Sequence, residues 1–352
     1  MWKYIVRRLL IMIPTLFGIC LFSFVIINMA PGGPIEQRIE QLRFAGAAGG
    51  FAGRGGSEAL ANSQSGIPQN VINALKKQYG FDKPLPVRFW IWLKDVCTLN
   101  FGNSFSYDEP VTQLILSKMP VSLQFGIASL ILTYLVCIPL GVMKAVRDGT
   151  PFDSVSSFIL FLLYSIPPLM LGILLMVYFA GGSYFHWFPA IGTISDNYAS
   201  LTFWGKVWDR VHHFVLPLIC YMVNSFTALT FLMKNSLLDE IRLEYVRTAR
   251  AKGLSEKIVV YKHALRNALI PIVTGMGGFL GIFLAGSIII EQIFSLDGIG
   301  LLGYNSALSR DYNVLMALIF ISAVLTLFGR LISDLLYVVV DPRIHFDGRD
   351  DG

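Results

Sequence analysis

Six apolar runs of membrane length dominate this sequence of 352 residues. A helix needs roughly 20 mostly apolar residues to cross a bilayer, and a helix satisfies its own backbone polar groups there. The runs therefore predict an all-α membrane protein with six transmembrane helices. The predicted spans are 9–29, 120–143, 155–180, 214–233, 269–290 and 313–340.

The composition supports a membrane protein and argues against a nucleic-acid partner. The chain is 54% hydrophobic and 14% charged, whereas soluble domains contain about 25% charged residues. Its net charge of +5 could indicate nucleic-acid binding. However, the basic residues mainly flank the apolar runs, as membrane topology requires, so lipid is the expected partner.

Basic residues in the short loops predict the orientation, because such residues accumulate on the cytoplasmic side. With the N-terminus inside, fifteen fall on the cytoplasmic side and three outside. The long segment 30–119 is not counted, since long loops translocate largely regardless of charge. Both termini are therefore expected in the cytoplasm. The inner set is Lys3, Arg7, Arg8, Lys144, Arg147, Lys234, Arg242, Arg247, Arg250, Lys252, Lys257, Lys262, Arg266, Arg343 and Arg349, and the outer set is Lys206, Arg210 and Arg310.

The first run is expected to be an uncleaved membrane anchor. It is too long for a signal-peptide core, and Asn28-Met29-Ala30 is a poor cleavage site. The predicted regions are the N-terminal transmembrane helix 1–29, a periplasmic segment 30–119 with a Gly-rich insertion 41–66, a five-helix core 120–340 that contains the cytosolic loop 234–268, and a cytosolic tail 341–352. Short helices are expected at Pro68–Tyr79 and Val87–Val96 within the periplasmic segment.

The cytosolic loop carries more helical sequence than a connection needs. Glu240–Leu254 is rich in helix formers, and Gly253 is placed to end that helix. Ser255 is placed as the N-cap of a second helix, Lys257–Ala268. The positive-inside rule explains the sign of the charge but not a helix–glycine–helix unit, which favours docking to a soluble partner. The docking segment is Arg247, Thr248, Ala249, Arg250, Ala251, Lys252, Gly253, Leu254 and Ser255.

Few residues suggest catalysis or metal binding. A phosphate-binding loop needs G-x-x-x-x-G-K-[ST], but Gly205-Lys206 is followed by valine. His212 and His213 are adjacent and make a poor metal pair. The four cysteines form no metal spacing, and three lie inside apolar runs, so small core residues are the expected role. Cys97 alone is expected on a non-cytosolic side, so a disulfide framework is not implied. The four are Cys20, Cys97, Cys137 and Cys220.

Polar residues within the spans are candidates for contact with a substrate. Arg330 and Asp334 are one helical turn apart and can pair, either in a pore or as a structural pair near the membrane surface. Glu291 could touch a peptide amine or could lie at a solvated helix end. Asn224, with Ser225 and Thr227, suits helix–helix hydrogen bonds or a pore lining. Separately, Pro167-Pro168 predicts a kink in the third span.

The docking segment resembles the coupling loop of ATP-binding-cassette importer permeases. Gly253 and Ala249 match the glycine and second alanine of the general E-A-A-x-x-x-G pattern, while Arg247 and Thr248 replace its first two residues. The peptide-importer form of this loop, R-T-A-R-A-K-G-L followed by H-x-L-R-N-A-L-I-P, matches nearly completely through Pro271.

Motifs along the rest of the chain resemble the dipeptide and oligopeptide permeases. The insertion 41–66 and Gly181–Phe185 resemble in particular the B permease of the Yej-type peptide importers, which also admits microcin C. The family motifs are Arg7-Arg8-Leu9-Leu10, Ala30-Pro31-Gly32-Gly33-Pro34, Tyr79-Gly80-Phe81-Asp82-Lys83-Pro84, Phe101-Gly102-Asn103-Ser104, Gly298-Ile299-Gly300-Leu301-Leu302 and Asp341-Pro342-Arg343-Ile344.

This resemblance implies a type I importer permease in the bacterial inner membrane that moves peptides into the cytoplasm. Its implied partners are a second, similar permease, two ATPase subunits or one fused ATPase, and a periplasmic peptide-binding protein. ATP and magnesium would be bound by the ATPase subunits, so this chain would have neither cofactor nor enzymatic activity. The alternatives are an ion-coupled secondary transporter, which would show buried carboxylate relays and an internal repeat, and an intramembrane hydrolase, which would need a nucleophile and base.

Overall fold

The computed structural model describes residues 2–29, 83–181, 184–275 and 286–340. The insertion 41–66, the predicted helix Pro68–Tyr79 and the tail 341–352 lie outside these ranges. Within them the chain forms thirteen α-helices. They are α1 (Trp2–Met29), α2 (Leu85–Cys97), α3 (Val111–Val146), α4 (Pro151–Ser165), α5 (Pro168–Phe179), α6 (Phe203–Ile241), α7 (Glu244–Ala251), α8 (Glu256–Ile258), α9 (Leu265–Ala268), α10 (Ile270–Gly275), α11 (Ile288–Ile293), α12 (Ile299–Leu308) and α13 (Tyr312–Val340). A π-helical turn, Val259–Ala264, joins α8 to α9, and α2 confirms the helix expected at Val87–Val96.

Four of the described helices are long and apolar enough to cross a membrane, namely α1, α3, α6 and α13. They confirm the first, second, fourth and sixth predicted spans. The second and fourth are parts of longer helices than expected, since α3 has 36 residues and α6 has 39. The middle of the fifth predicted span, 269–290, falls on residues 276–285, which lie outside the described ranges, so the count of six stays a prediction.

The third predicted span is a bent pair of helices, α4 and α5, which meet at an angle of 95°. The kink expected at Pro167-Pro168 is therefore confirmed. A residue that precedes proline is pushed out of the helical region, and Ile166 and Pro167 have extended ψ angles of 118° and 140°. Two consecutive residues thus leave the helical conformation, and α5 restarts with Pro168 at its first turn.

The described residues divide into two compact units. The first contains those of 1–12, 117–302 and 322–352, and the second contains those of 13–116 and 303–321. In the second unit, α1 and α2 pack through an aromatic cluster in which Phe89 lies edge-on to Phe24 at 5.3 Å. In the first unit, Phe125 of α3 stacks on Phe214 of α6 at 4.3 Å.

Helix α6 is the central element of the first unit because it contacts both α3 and α4 closely. A Cβ added at Gly141 of α3 would lie 2.6 Å from the Met233 Cβ and 2.8 Å from the Thr230 carbonyl oxygen. Only glycine allows this approach of the two helices. On the other side, the Thr227 hydroxyl donates to the Leu160 carbonyl of α4 at 2.8 Å.

Candidate functional site

The docking segment lies on a short amphipathic helix whose apolar side is buried. Helix α7 places Val246 and Ala249 on one face, and they are 0% and 7% exposed. These two side chains pack into a cluster with Val142 of α3 and with Met233 and Leu237 of α6. The segment is therefore seated directly on the ends of two long helices. Ala249 is the one docking-segment residue that faces this core.

The predicted helix Glu240–Leu254 is interrupted in the structure. Helix α6 ends at Ile241, Leu243 is extended with ψ of 151°, and α7 then begins at Glu244. This break turns the short helix away from the axis of α6, which a continuous helix could not do. The second predicted helix, Lys257–Ala268, is likewise not one regular helix, because it contains the π-helical turn.

Gly253 forms the turn after α7, as predicted. Its φ of +77° lies in the left-handed region, which glycine enters without a steric penalty. Its N–H donates to the Arg250 carbonyl at 2.9 Å and so helps to satisfy a carbonyl of the last turn of α7. Ser255 occupies the N-cap position of α8, but its side chain makes no capping hydrogen bond, which corrects the predicted capping role.

Two ion pairs organise the exposed charges of the docking segment. Arg247 pairs with Glu244 at 2.7 Å within α7, and Arg250 pairs with Glu256 at 2.7 Å across the glycine turn. Hydrogen bonds from Arg250 hold the pKa of the Glu256 carboxyl below its ordinary value. The second pair therefore stabilises the fold fully at pH values above the ordinary carboxyl pKa. This stabilisation is lost only as the pH falls through the lowered pKa of Glu256. Both pairs are solvent-exposed, so each contributes at most about 1 kcal/mol.

Tyr245 connects three helices around the docking segment, a role that the sequence analysis missed. Its hydroxyl donates to the Glu240 carboxylate of α6 and accepts a hydrogen bond of 3.1 Å from the Asn267 amide of α9. Burial, followed by the hydrogen bond to Glu240, raises the pKa of Tyr245 to about 12. The hydroxyl thus stays protonated as a donor. Asn267 is far from Tyr245 in sequence, so no local pattern signals the contact.

A buried ion network lies beside the same cluster and was also missed. The Lys144 ammonium donates to the Asp153 carbonyl, the Ser156 hydroxyl and the Ser157 hydroxyl at 2.7–2.9 Å. These contacts use its three N–H donors, so its approach of 2.9 Å to Asp153 Oδ1 is an ion pair without a further hydrogen bond. The Lys234 ammonium lies 2.7 Å from Asp153 Oδ2 and 2.8 Å from Asp148 Oδ1. In the sequence, both lysines are recognisable only as positive charges on the predicted cytoplasmic side.

Glu291 is neither a solvated helix end nor free to contact a peptide amine. It is 1% exposed. Its carboxylate accepts hydrogen bonds from the Ser122 hydroxyl at 3.0 Å and from the Leu301 N–H at 2.7 Å. A carboxylate at the first turn of α12 satisfies unpaired N–H groups and complements the helix dipole. Glu291 therefore anchors α12 to α3, which corrects both of its predicted roles.

The glycines of the Gly298-Ile299-Gly300 motif make room for this carboxylate. A Cβ at Gly298 would lie 2.5 Å from the Glu291 carboxyl carbon and 2.6 Å from the Ser122 Oγ. A Cβ at Gly300 would lie 3.1 Å from Glu291 Oε2. The motif is thus explained by close packing around Glu291.

Arg330 does not pair with Asp334, contrary to the prediction. Asp334 instead lies 2.7 Å from the Arg8 guanidinium of α1, while Arg330 is exposed. Residues one turn apart share a helix face, but the pairing is decided by which neighbouring helix presents a charge to that face. The contact joins the beginning of α1 to the last turns of α13.

A double-mutant cycle should distinguish these two pairings. We expect Arg8→Gln and Asp334→Asn to be non-additive in thermal unfolding, with a coupling of about 0.5–1 kcal/mol for a partly exposed pair. Arg330→Gln combined with Asp334→Asn should be additive. Additivity in the first cycle together with coupling in the second would instead support the pairing expected from helix spacing.

The polar residues of α6 that were candidates for helix contacts or a pore lining differ in burial, since one is buried and two are exposed. Thr227 is buried and makes the hydrogen bond to α4 described above, so the helix–helix interpretation is confirmed for it. Asn224 and Ser225 lie on the exposed face of α6. Of the candidates for substrate contact, Asn224 and Arg330 thus retain an exposed side chain.

The Phe101-Gly102-Asn103-Ser104 motif has a structural role in the second unit. Asp311 is fully buried there and accepts hydrogen bonds from the Ser104 hydroxyl at 2.5 Å and the Phe105 N–H at 2.9 Å. Gly102 adopts a φ of +72° in the same turn. This turn borders a cleft of about 610 Å³ that is also lined by Arg88 and Asp95 of α2.

The cysteines within the described ranges lie mostly in the interior of the protein. Cys20, Cys137 and Cys220 are buried, which confirms their expected core role, and Cys97 is exposed. No group of three or more His, Cys, Asp or Glu side chains that could hold a metal ion occurs in the described part of the chain.

The long apolar helices define a multi-pass membrane protein, and an exposed helix–glycine turn lies on the ends of two of them. The chain belongs to the family of binding-protein-dependent transport system inner membrane components, whose model matches residues 137–346. It is 44% identical to the peptidoglycan transport system permease protein YejB of Agrobacterium fabrum and 42% identical to the inner membrane ABC transporter permease protein YejB of Escherichia coli O157:H7. Both matches cover 99% of this chain and 100% of the relative. The oligopeptide transport system permease protein AppB of Bacillus subtilis is 35% identical over 98% of this chain and 100% of its own length.

Proposed function

We propose that this chain is the permease subunit of an ATP-binding-cassette importer that moves peptides from the periplasm to the cytoplasm. The family match and the full-length similarity to peptide-transport permeases support the class of transporter. The observation that carries the mechanism is the exposed turn at Gly253, held on the ends of α3 and α6 by the buried face of α7.

The docking segment is the proposed contact for the ATPase subunits. Its outer face carries Arg247, Arg250 and Lys252, all exposed, and suits a groove on a soluble partner. Val246 and Ala249 hold its inner face against α3 and α6. Because packed interiors transmit displacement, closure of the ATPase dimer would move the ends of α3 and α6 together with the docking segment. This movement would switch the pore between outward and inward access.

The other partners follow from this role. A second, homologous permease would complete the pore, and a periplasmic peptide-binding protein would deliver the substrate. ATP and magnesium would bind only to the ATPase subunits, encoded as two chains or as one fused chain. Exposed Asn224 and Arg330 are the remaining candidates for contact with the peptide or the second permease, and peptide antibiotics such as microcin C are candidate cargo.

Reconstitution tests the proposed function directly. The tagged permease is expected to copurify with ATPase subunits and, in liposomes with the binding protein, to show peptide-stimulated ATP hydrolysis and peptide uptake. Liposomes that contain an ATPase subunit with an inactivated phosphate-binding loop serve as the control. A permease that purifies without ATPase subunits and transports in response to an ion gradient alone would support the secondary transporter instead.

Labelling of Cys97 tests the proposed orientation. Among the cysteines, Cys97 is exposed while the other three are buried, so the wild-type chain already contains a suitable reporter. With both termini in the cytoplasm, α2 lies in the periplasm, and a membrane-impermeant maleimide should label Cys97 in spheroplasts. A Cys97→Ser variant is the control. Labelling that appears only in inverted vesicles would reverse the topology.

A further inference from the structure

The buried ion network connects the end of α3, the beginning of α4 and the C-terminal part of α6 beside the docking segment. Lys144 is in the last turn of α3, Asp153 is in the first turn of α4, and Lys234 is in α6. Asp148 belongs to the connection between α3 and α4. Two ammonium groups and two carboxylates meet, so the network is neutral as a whole. The Asp153 carboxylate is shared by both lysines, at 2.9 Å and 2.7 Å.

The network is continuous with the apolar cluster under α7. Lys144 is flanked along α3 by Val142 and Ala145, and Lys234 is flanked along α6 by Met233 and Leu237. All four flanking residues belong to the cluster that buries Val246 and Ala249. The same turns of α3 and α6 thus contact the docking segment on one side and the first turn of α4 on the other.

Packing alone does not explain why charges are buried here. Apolar residues of similar volume often stabilise a fold as well as or better than a buried ion pair does, whereas directional polar contacts can specify one arrangement. Lys144 is 0% exposed and has all three donors committed to α4. A shift of α4 along α3 would break these bonds together, so the helix ends are held in one register.

We propose that Lys144, Asp148, Asp153 and Lys234 are positioning residues that make the first turn of α4 move as one body with α7 and the ends of α3 and α6. Displacement of the docking segment would then reach the bent pair α4–α5. This inference rests on the proposed function for its role in transport. The mechanical link itself is a property of the chain.

Lys234→Met is the informative variant. It removes one charge, leaves Asp153 paired with Lys144, and leaves Asp148, whose side chain is 45% exposed, able to reach water. Lys234→Arg keeps the charge, and Lys206→Met removes the same charge near the other end of α6. Each variant is purified in the complete complex. Amide hydrogen exchange of residues 244–251 is measured without substrate, and the ratio of peptide-stimulated to basal ATP hydrolysis is measured in liposomes.

We expect Lys234→Met to assemble and to raise exchange in α7 by about tenfold or more, as the loss of a buried pair would do. The stimulation ratio should fall by roughly 5- to 100-fold, the usual range for coupling between sites. Lys234→Arg and Lys206→Met should stay close to the wild type in both measurements. A variant that merely lost stability would show reduced assembly with a normal ratio in the assembled fraction.

Wild-type exchange in α7 of the assembled Lys234→Met complex would overturn the proposal. If that variant does not assemble, Asp148→Asn is tested in its place, because it removes the charge of one partner at the accessible edge of the network. Increased amide exchange in α7 of this variant would support the mechanical link, and wild-type exchange would refute it. A wild-type complex without peptide stimulation would contradict the proposed function, while the exchange comparison would still test the network.

Discussion

Gly253→Pro is expected to abolish peptide uptake while the permease still inserts into the membrane. Proline fixes φ at about −65°, whereas Gly253 has a φ of +77° and uses its N–H to bond the Arg250 carbonyl. Proline can provide neither the positive φ nor the N–H donor, so the turn after α7 must adopt a different backbone conformation. Uptake should fall to background, measured in reconstituted complex together with peptide-stimulated ATP hydrolysis.

Gly253→Asn is the matched control for this variant. Apart from its two chain neighbours, no atom of the described residues lies within 4 Å of a Cβ built at Gly253, so backbone conformation and not space limits the choice of residue. Asparagine enters the left-handed region more readily than most residues, at a cost of about 1 kcal/mol. We expect it to retain most of the uptake. Normal coupling in Gly253→Pro, with the permease present at wild-type amounts, would remove the docking segment from the mechanism.

Gly298→Ala is expected to destabilise the folded permease strongly, although it adds one methyl group. That group would lie 2.5 Å from the Glu291 carboxyl carbon and 2.6 Å from Ser122 Oγ. Overpacking of a closed site costs about 1–3 kcal/mol. Displacing the carboxylate would also leave the Leu301 N–H without its hydrogen-bond acceptor, and a buried unpaired group costs about 1–3 kcal/mol of stability. Thermal unfolding in detergent should show a clearly lower midpoint and less folded protein.

Gly303→Ala, in the same helix α12, should leave the midpoint nearly unchanged. Among the described residues, a Cβ there meets only the end of the flexible Leu318 side chain, at 3.4 Å, and alanine favours a helix over glycine. Equal midpoints for the two variants would mean that Glu291 does not occupy the space beside Gly298. Glu291→Ala should then have little effect as well, whereas with the packing described it should be at least as destabilising as Gly298→Ala.

Much of the fold could be predicted because membranes impose simple rules on a sequence. Four of the predicted spans correspond to single long helices, and Pro167-Pro168 predicted the bend between α4 and α5 correctly. Helix breaking at proline and a left-handed turn at Gly253 are local effects, so neighbouring residues suffice to predict them. The docking segment was found for the same reason, as its helix, turn and charges are contiguous.

Charge pairing was predicted poorly because it depends on which helices become neighbours. Arg330 and Asp334 share a helix face, yet Asp334 pairs with Arg8 at the other end of the chain. Lys144 and Lys234 conform to the topology rule, and no sequence pattern reveals that Asp153 lies between them. Glu291 was predicted to contact a peptide amine or to lie at a solvated helix end, because its partners, Ser122 and Leu301, come from separate parts of the sequence.

The sequence by itself determined that this chain is helical, that it crosses a membrane several times and that a basic helix–glycine–helix segment lies between two apolar runs. Those properties follow from hydrophobic length and local backbone preference, which act over a few turns. Only the tertiary structure decided that Val246 and Ala249 attach this segment to α3 and α6, and that a shared carboxylate joins α4 to the same helix ends. Such contacts depend on residues brought together across many turns of chain, where packing and charge select one arrangement.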